Sequence, residues 1–393
     1  MDSPEHNMET LVVHGRADAN EPSSGGPVIS PEIRSTVFRH PEPGTGAEFQ
    51  YTRNGNPNRH ELETVLTELE RGEESAAFSS GMAATAAVFN SVEPGSSIVI
   101  PKDVYHGTRA YLIEEARRWN STVHAVDFSA GAVHRGQEIA DELADIASRS
   151  SSGTIGLIWV ETPSNPMLHI TDISFVAHEA HTHGAIVCVD NTWPSPVNQQ
   201  PLRYGADLVV HSATKYLGGH SDILAGAVVT NGDNDAFKKI RQTQTMAGAV
   251  PSAHDCWMLL RSIKTLSVRM RAHNANAAAV ARFLSAHDAV KAVYYPGLEE
   301  HPGHTTAARQ MTGFGGMISF EVDTDEQTTR EIVHRSRFIT AATSLGGVES
   351  TWEHRRSVEG PTSETPPTLI RLSVGIEHQD DIIGDIRRAL NQL

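Results

Sequence analysis

Apolar residues fall into short unbroken runs in the first part of the chain and into spaced stripes later on. Ser75-Ala76-Ala77-Phe78, Ser97-Ile98-Val99-Ile100, Gly156-Leu157-Ile158-Trp159-Val160, Ala185-Ile186-Val187-Cys188-Val189 and Leu208-Val209-Val210 each predict a strand. Each runs into a polar turn, and helical stretches lie between them; after Ser79-Ser80-Gly81 the helix is expected over 82–89. Unbroken apolar strands alternating with helices predict a mostly parallel sheet covered on both faces. From about residue 250 the pattern changes. Helices are expected over 255–270 and 273–287, then short strands over 316–320 and 368–373. Ile382, Ile383, Ile386, Ala389, Leu390 and Leu393 mark one face of a terminal helix. Residues 1–50 are rich in Pro, Gly, Ser and charge, and read as an extended arm. The expected organisation is an arm over 1–59, an α/β domain over 60–250 and a smaller α+β domain over 251–393.

Composition narrows the partners. The chain has 393 residues, room for two or three lobes. A formal net charge of −16 argues against a nucleic-acid backbone or an anionic membrane as partner. It leaves room for an anionic small molecule in a locally basic pocket. Runs of 18 apolar residues are absent, and the start, Met1-Asp2-Ser3-Pro4-Glu5-His6, lacks the features of a secretory signal. Cys188 and Cys256 are too few for a disulfide framework, so a reducing cytoplasm is the expected location.

Ligands of such sheets sit beyond the carboxyl ends of the strands. The residues just past each predicted strand are Ser80/Gly81, Tyr105, Asn165, Asp190 and Lys215. A buried lysine is pushed toward its neutral, nucleophilic form, which can form a Schiff base with an aldehyde cofactor. Pyridoxal phosphate needs three further things: an anion site, a carboxylate for its ring nitrogen and a stacking partner. Ser80, Gly81 and Met82 lie at a strand-to-helix turn suited to a phosphate, and Ser212 and Thr214 add hydroxyls. Asp190 is the carboxylate and Tyr105 the aromatic ring. Singly, each has a plainer reading: a solvated lysine, an N-capping aspartate, an ordinary Ser-Gly turn. Their joint occurrence at successive strand ends favours the cofactor.

Ser212-Ala213-Thr214-Lys215-Tyr216, followed by Gly219-His220-Ser221-Asp222, resembles the lysine signature of the cystathionine γ-synthase family, pyridoxal-phosphate enzymes of cysteine and methionine metabolism. Tyr51-Thr52-Arg53-Asn54-Gly55-Asn56-Pro57, Ser79-Ser80-Gly81-Met82-Ala83, Glu161-Thr162-Pro163-Ser164-Asn165-Pro166 and Val189-Asp190-Asn191-Thr192 resemble further blocks in the same order. So do Ser344-Leu345-Gly346-Gly347-Val348-Glu349-Ser350 and Arg371-Leu372-Ser373-Val374-Gly375. The resemblance implies an aminotransferase-like fold, type I among pyridoxal-phosphate enzymes. It implies that Lys215 holds the cofactor and later moves protons, that Asp190 pairs with the ring nitrogen and that Tyr105 stacks on the ring. Gly81 and Met82, next to Ser80, with Ser212 and Thr214, would hold the phosphate, and Asn165 would touch the phenolic oxygen. Arg371 would clamp the substrate α-carboxylate, assisted by Ser344. Tyr51 and Arg53 would reach the phosphate of a neighbouring subunit, which implies an active-site-sharing dimer, usually within a homotetramer. The implied reaction is γ-replacement or γ-elimination on a homoserine- or homocysteine-derived amino acid. A cystathionine-type β-lyase and a non-catalytic binding or assembly member are the alternatives.

Some positions depart from the family pattern. His106 stands where many members have glycine, and Gly107 where methionine γ-lyases have cysteine, which counts against a dedicated methionine lyase. Thr343 stands where cystathionine enzymes often carry glutamate, which counts against true cystathionine chemistry. Thr351 to Arg356 replace an aliphatic run followed by His-Pro. Trp352, His354 and Arg355 are therefore expected either to line the substrate pocket, with His106 and Thr343, or to form the rim of a variable loop. Trp193 points to the β-lyase branch, and Gly55-Asn56-Pro57 to the γ branch. His178-Glu179-Ala180-His181-Thr182-His183 imitates a zinc motif, but the position four after the first histidine is Thr182, so no metal is expected.

Overall fold

Seven strands build the larger of two sheets in the computed structural model, which describes residues 6–15, 27–40, 46–129, 136–150, 153–232, 234–360 and 363–391. They are β1 Glu74–Phe78, β2 Ser97–Pro101, β3 Thr122–Val126, β4 Ile155–Glu161, β5 Ile186–Asp190, β6 Leu208–Ser212 and β7 Gly226–Thr230, in the order β1-β7-β6-β5-β4-β2-β3. β3, β2, β4, β5 and β6 are parallel neighbours, and β7 runs antiparallel between β6 and β1. Successive strand residues point to opposite faces. Ile158, Val160, Val187, Val189 and Val209 enter one buried cluster, and Leu157, Trp159, Cys188, Leu208 and Val210 the other. Both faces are covered, which explains why these strands read as unbroken apolar runs. The sequence pattern passes over β3 and β7. β3 is a half-exposed edge strand that includes Thr122 and His124, so it lacks that signature. β7 is apolar, and it enters the sheet antiparallel between its chain neighbour β6 and the distant β1.

The smaller sheet comprises β8 Val290–Tyr294, β9 Met317–Val322, β10 Thr340–Ala341, β11 Thr351–His354 and β12 Leu369–Ser373, in the order β10-β11-β12-β9-β8. The terminal helix, Gln379–Leu390, buries Ile382, Ile386, Ala389 and Leu390 against this sheet, with Ile383 at the margin. Leu393 lies outside the described residues.

Three expectations need correction. The first 50 residues are not wholly extended: α1, Met8–His14, packs against α2, Pro57–Glu70, and buries Leu11 and Val12 in the main core. The spacing of Met8, Leu11 and Val12 between Asn7 and Gly15 is a short local signal, and seven residues rarely hold a helix without tertiary packing. The helices expected over 255–270 and 273–287 break earlier, into Ala253–Ile263 and Leu266–Ser285. Trp352 does not line a pocket. It is buried in the core of the smaller sheet, and its indole N–H donates to the Val333 carbonyl at 2.8 Å. Among the described residues no helix is long and apolar enough to cross a membrane.

Candidate active site

The carboxyl ends of β4, β5 and β6 meet the N-terminal turns of α3, Gly81–Phe89, and α4, His106–Arg118, around a cavity of about 390 Å³. Of the residues singled out from the sequence, Ser80, Gly81, Met82, Tyr105, His106, Asn165, Asp190, Ser212, Thr214, Lys215, Thr343, Ser344 and Arg371 line it. Tyr51 and Arg53 do not. Both are exposed, with the Arg53 guanidinium 5.5 Å from the centre of the Tyr51 ring and donating to the Thr245 carbonyl at 2.5 Å.

Lys215 lies in the turn beyond β6, where its amide donates to the Ser212 carbonyl at 3.1 Å. It is half-buried, and its Nζ donates to Ser344 Oγ at 2.7 Å. Burial first, then the nearby Arg371 charge, lowers its pKa to about 8. The loop past Lys215 is held from behind by the buried Arg269, which donates to the Tyr216 carbonyl at 2.6 Å. Gly219, with φ +71°, serves that contact: a Cβ there would stand 2.2 Å from Arg269 Nη1.

The first turn of α3 forms a cradle. Ser80 caps it, its Oγ accepting the Ala83 N–H at 3.1 Å. The amides of Gly81 and Met82 belong to the set a helix leaves without intrahelical acceptors. A Cβ at Gly81 would stand 2.8 Å from Ser212 Cβ, so only glycine lets the helix start this close to β6. The first turn carries no acidic residue, and the helix dipole favours an anion here. The Thr214 hydroxyl is engaged with the Ala225 backbone at 3.1 and 3.2 Å.

Asp190 ends β5 and accepts the Thr192 N–H at 3.0 Å. Burial raises its pKa, a cost that a cationic ring N–H beside it would offset. Directly beside it in register is Glu161, at the end of β4. Glu161 is buried, lines the cavity and accepts the Tyr105 N–H at 2.9 Å. Burial and the Asp190 charge push its pKa well above the carboxylate range. The strand-end reading misses this carboxyl, although it opens the Glu161–Pro166 block. An amine, a helix-start cradle opened by a glycine, a buried carboxyl and an aromatic ring fit pyridoxal phosphate.

Opposite stands a chain of charges. Arg371 on β12 faces Glu353 on β11 in register, and its Nη2 lies 2.7 Å from Glu353 Oε1. It also donates to Asn165 Oδ1 at 2.9 Å and to the Ser344 carbonyl at 3.3 Å. Burial lowers its pKa to about 10, which leaves it charged at neutral pH. Ser344 itself has φ +85°, a strained conformation for a residue with a side chain. Arg355 lines the cavity and bonds Glu353 Oε1 at 2.7 Å, Glu359 Oε1 at 2.8 Å and His106 Nδ1 at 3.3 Å. His354 turns away, its Nε2 2.7 Å from the Pro367 carbonyl. Trp352 and His354 alternate with Glu353 along the pleat and so leave the face that carries Arg371.

Residues 9–391 match the profile of the Cys/Met metabolism PLP-dependent enzymes. The cystathionine γ-synthase of Mycobacterium leprae is 45% identical over 98% of this chain and 97% of its own length. A cystathionine β-lyase of Lactococcus lactis subsp. cremoris is 40% identical over 98% and 99%. The crystal structure of cystathionine γ-synthase from Xanthomonas oryzae pv. oryzae, in complex with aminoacrylate and cysteine, superimposes with a TM-score of 0.90 at 37% identity, covering 98% of both chains.

Proposed function

This chain belongs to the Cys/Met metabolism family of PLP-dependent enzymes, and on that premise we propose that it replaces a γ-substituent on a homoserine-derived amino acid. It is a PLP-dependent enzyme acting at Cγ or Cβ of an amino acid. The observation that carries the proposal is the contact of Lys215 Nζ with Ser344 Oγ, on a residue whose carbonyl accepts from Arg371. A proton-moving amine thus stands beside a carboxylate clamp. The first relatives, at 42–45% identity, are named cystathionine γ-synthase, which favours Cγ.

Lys215, Asp190, Tyr105, Ser212, Thr214 and the amides of Gly81 and Met82 would hold the cofactor. When bound, it supplies an aldehyde for the lysine and a ring that withdraws electrons from Cα. Arg371 takes the substrate α-carboxylate, and Ser344 keeps the Lys215 amine beside Cα. With its pKa lowered to about 8, Lys215 can both take and return protons near neutral pH. It removes one proton at Cα and, for a γ leaving group, moves another at Cβ. Tyr105 exchanges a proton with the substrate amine or leaving group. The exposed Tyr51 and Arg53 are assigned to the site of a second copy, which makes the working unit a dimer, within a tetramer.

Purified protein should be yellow and fix its cofactor on borohydride reduction, and Lys215→Ala should lose that covalent link. A colourless, borohydride-insensitive wild type overturns the enzyme reading. Incubation with an O-acyl-L-homoserine should consume it fastest when a thiol is added. A β-lyase, which the buried Trp193 at the cavity wall favours, would instead release pyruvate from cystathionine. Mixing Arg53→Ala with Lys215→Ala protein should restore part of the activity if sites are shared between copies.

A further inference from the structure

We propose that Arg355 and His106 form a second anion subsite in the cavity, reading a carboxylate or other oxyanion at the far end of the amino-acid substrate. The inference rests on the amino-acid reading above and deepens it. Among the described residues lining the cavity, the lysine and arginine side chains are Lys215, Arg371 and Arg355. The first two have work at Cα and the α-carboxylate; Arg355 has none there. Arg355 is 2% exposed, yet it lines the cavity, while its carboxylate partners Glu353 and Glu359 do not. Those carboxylates therefore hold the guanidinium from behind. Three of its five N–H groups go to Glu353, Glu359 and His106, so two remain.

His106 adds a donor. A guanidinium has no acceptor, so His106 Nδ1, 3.3 Å from Arg355 Nη2, must accept. The neutral imidazole then carries its proton on Nε2. Burial and the Arg355 charge lower the pKa of His106, which favours the neutral ring. The carboxyls lining the cavity, Glu161 and Asp190, stand at the strand ends. Arg109, on α4 with His106, is not available, since it donates to the Pro101 and Lys102 carbonyls. The wall at Arg355 and His106 thus presents N–H donors, with the paired carboxylates standing behind them, which suits an acceptor-rich anion.

The test uses the holoenzyme and unreactive probes read by the change in cofactor absorbance. L-2-Aminopimelate ends in a carboxylate, its ω-amide is a neutral isostere, and L-alanine is too short to reach the subsite. Wild type should bind the acid at least tenfold more tightly than the amide. Arg355→Met should erase that preference and leave alanine binding within twofold. His106→Gly, which leaves the Glu353–Arg355–Glu359 chain intact, should cut the preference several-fold even if Arg355→Met fails to fold. Equal affinities in wild type, or an undiminished preference in His106→Gly, overturn the proposal. So does an Arg355→Met protein that loses alanine as severely as aminopimelate, for Arg355 would then act only by holding Glu353 and Arg371. If alanine itself leaves the wild-type spectrum unchanged, the amino-acid reading fails first.

Discussion

A Cβ at Gly107 would stand 2.5 Å from Cε1 of Tyr105, so the tyrosine ring packs against the bare first turn of α4. The ring also meets His106 edge-on, with centroids 4.8 Å apart. Gly107→Ala should therefore push the ring out of place without disturbing the core. A misplacement near 1 Å costs on the order of 10²-fold in rate. The expected result is a fall of that order in kcat/KM, with an altered cofactor circular dichroism and an unchanged urea midpoint.

Lys215 should titrate early. In cofactor-free protein its reaction with trinitrobenzenesulfonate should show a midpoint near pH 8, well below that of exposed lysines. Because the folded pKa lies below the unfolded one, the unfolded chain binds more protons between about pH 8 and 10.5. This group's contribution to stability therefore rises with pH across that window. Arg371→Met should move the midpoint upward, since the Arg371 charge helps to lower it. An unchanged midpoint would place the cause in burial alone.

Glu161 carries the opposite sign. Its folded pKa is raised well above 4.5, so the folded state binds the extra proton above that pH and loses stability as pH rises toward the folded value. Glu161→Gln removes this penalty and still offers an oxygen to the Tyr105 amide. Cofactor-free Glu161→Gln should gain stability over wild type as pH rises above 4.5. Urea midpoints at a series of pH values measure it, and a pH-independent difference contradicts it.

Glu353 is the shared acceptor of two buried guanidiniums, at 2.7 Å from each. Removing one partner from a buried ion pair leaves uncompensated charge and costs about 3–5 kcal/mol. Glu353→Ala should lose stability in that range in urea unfolding. Glu359→Ala should cost less, because Arg355 keeps Glu353 and Arg371 is untouched.

What is legible in the chain is whatever local chemistry writes into neighbouring residues. β4, β5 and β6 are buried on both faces, so they read as unbroken apolar runs. Their shared direction carries Asn165, Asp190 and Lys215, at or just past their ends, to one rim of the cavity. Ser80-Gly81 marks a strand-to-helix turn for the same reason. α1 leaves only a faint mark, because seven residues carry little periodicity and are held by packing.

The other wall of the cavity has no trace of this kind. Lys215 meets Ser344 across 129 positions, and His106 meets Arg355 across 249. Such pairs are set by how the turns after β6 and β2 meet the segments after β10 and β11, which no periodic pattern records. The departures at 106 and 351–356 stand out along the chain, but folding divides them, sending Trp352 into the core and Arg355 to the cavity. The cofactor rim is therefore written in the amino-acid order, because burial and turn chemistry act between neighbours along the chain. The far end of the substrate pocket is not, because His106 and Arg355, which meet there, are distant in sequence and are brought together only by the fold.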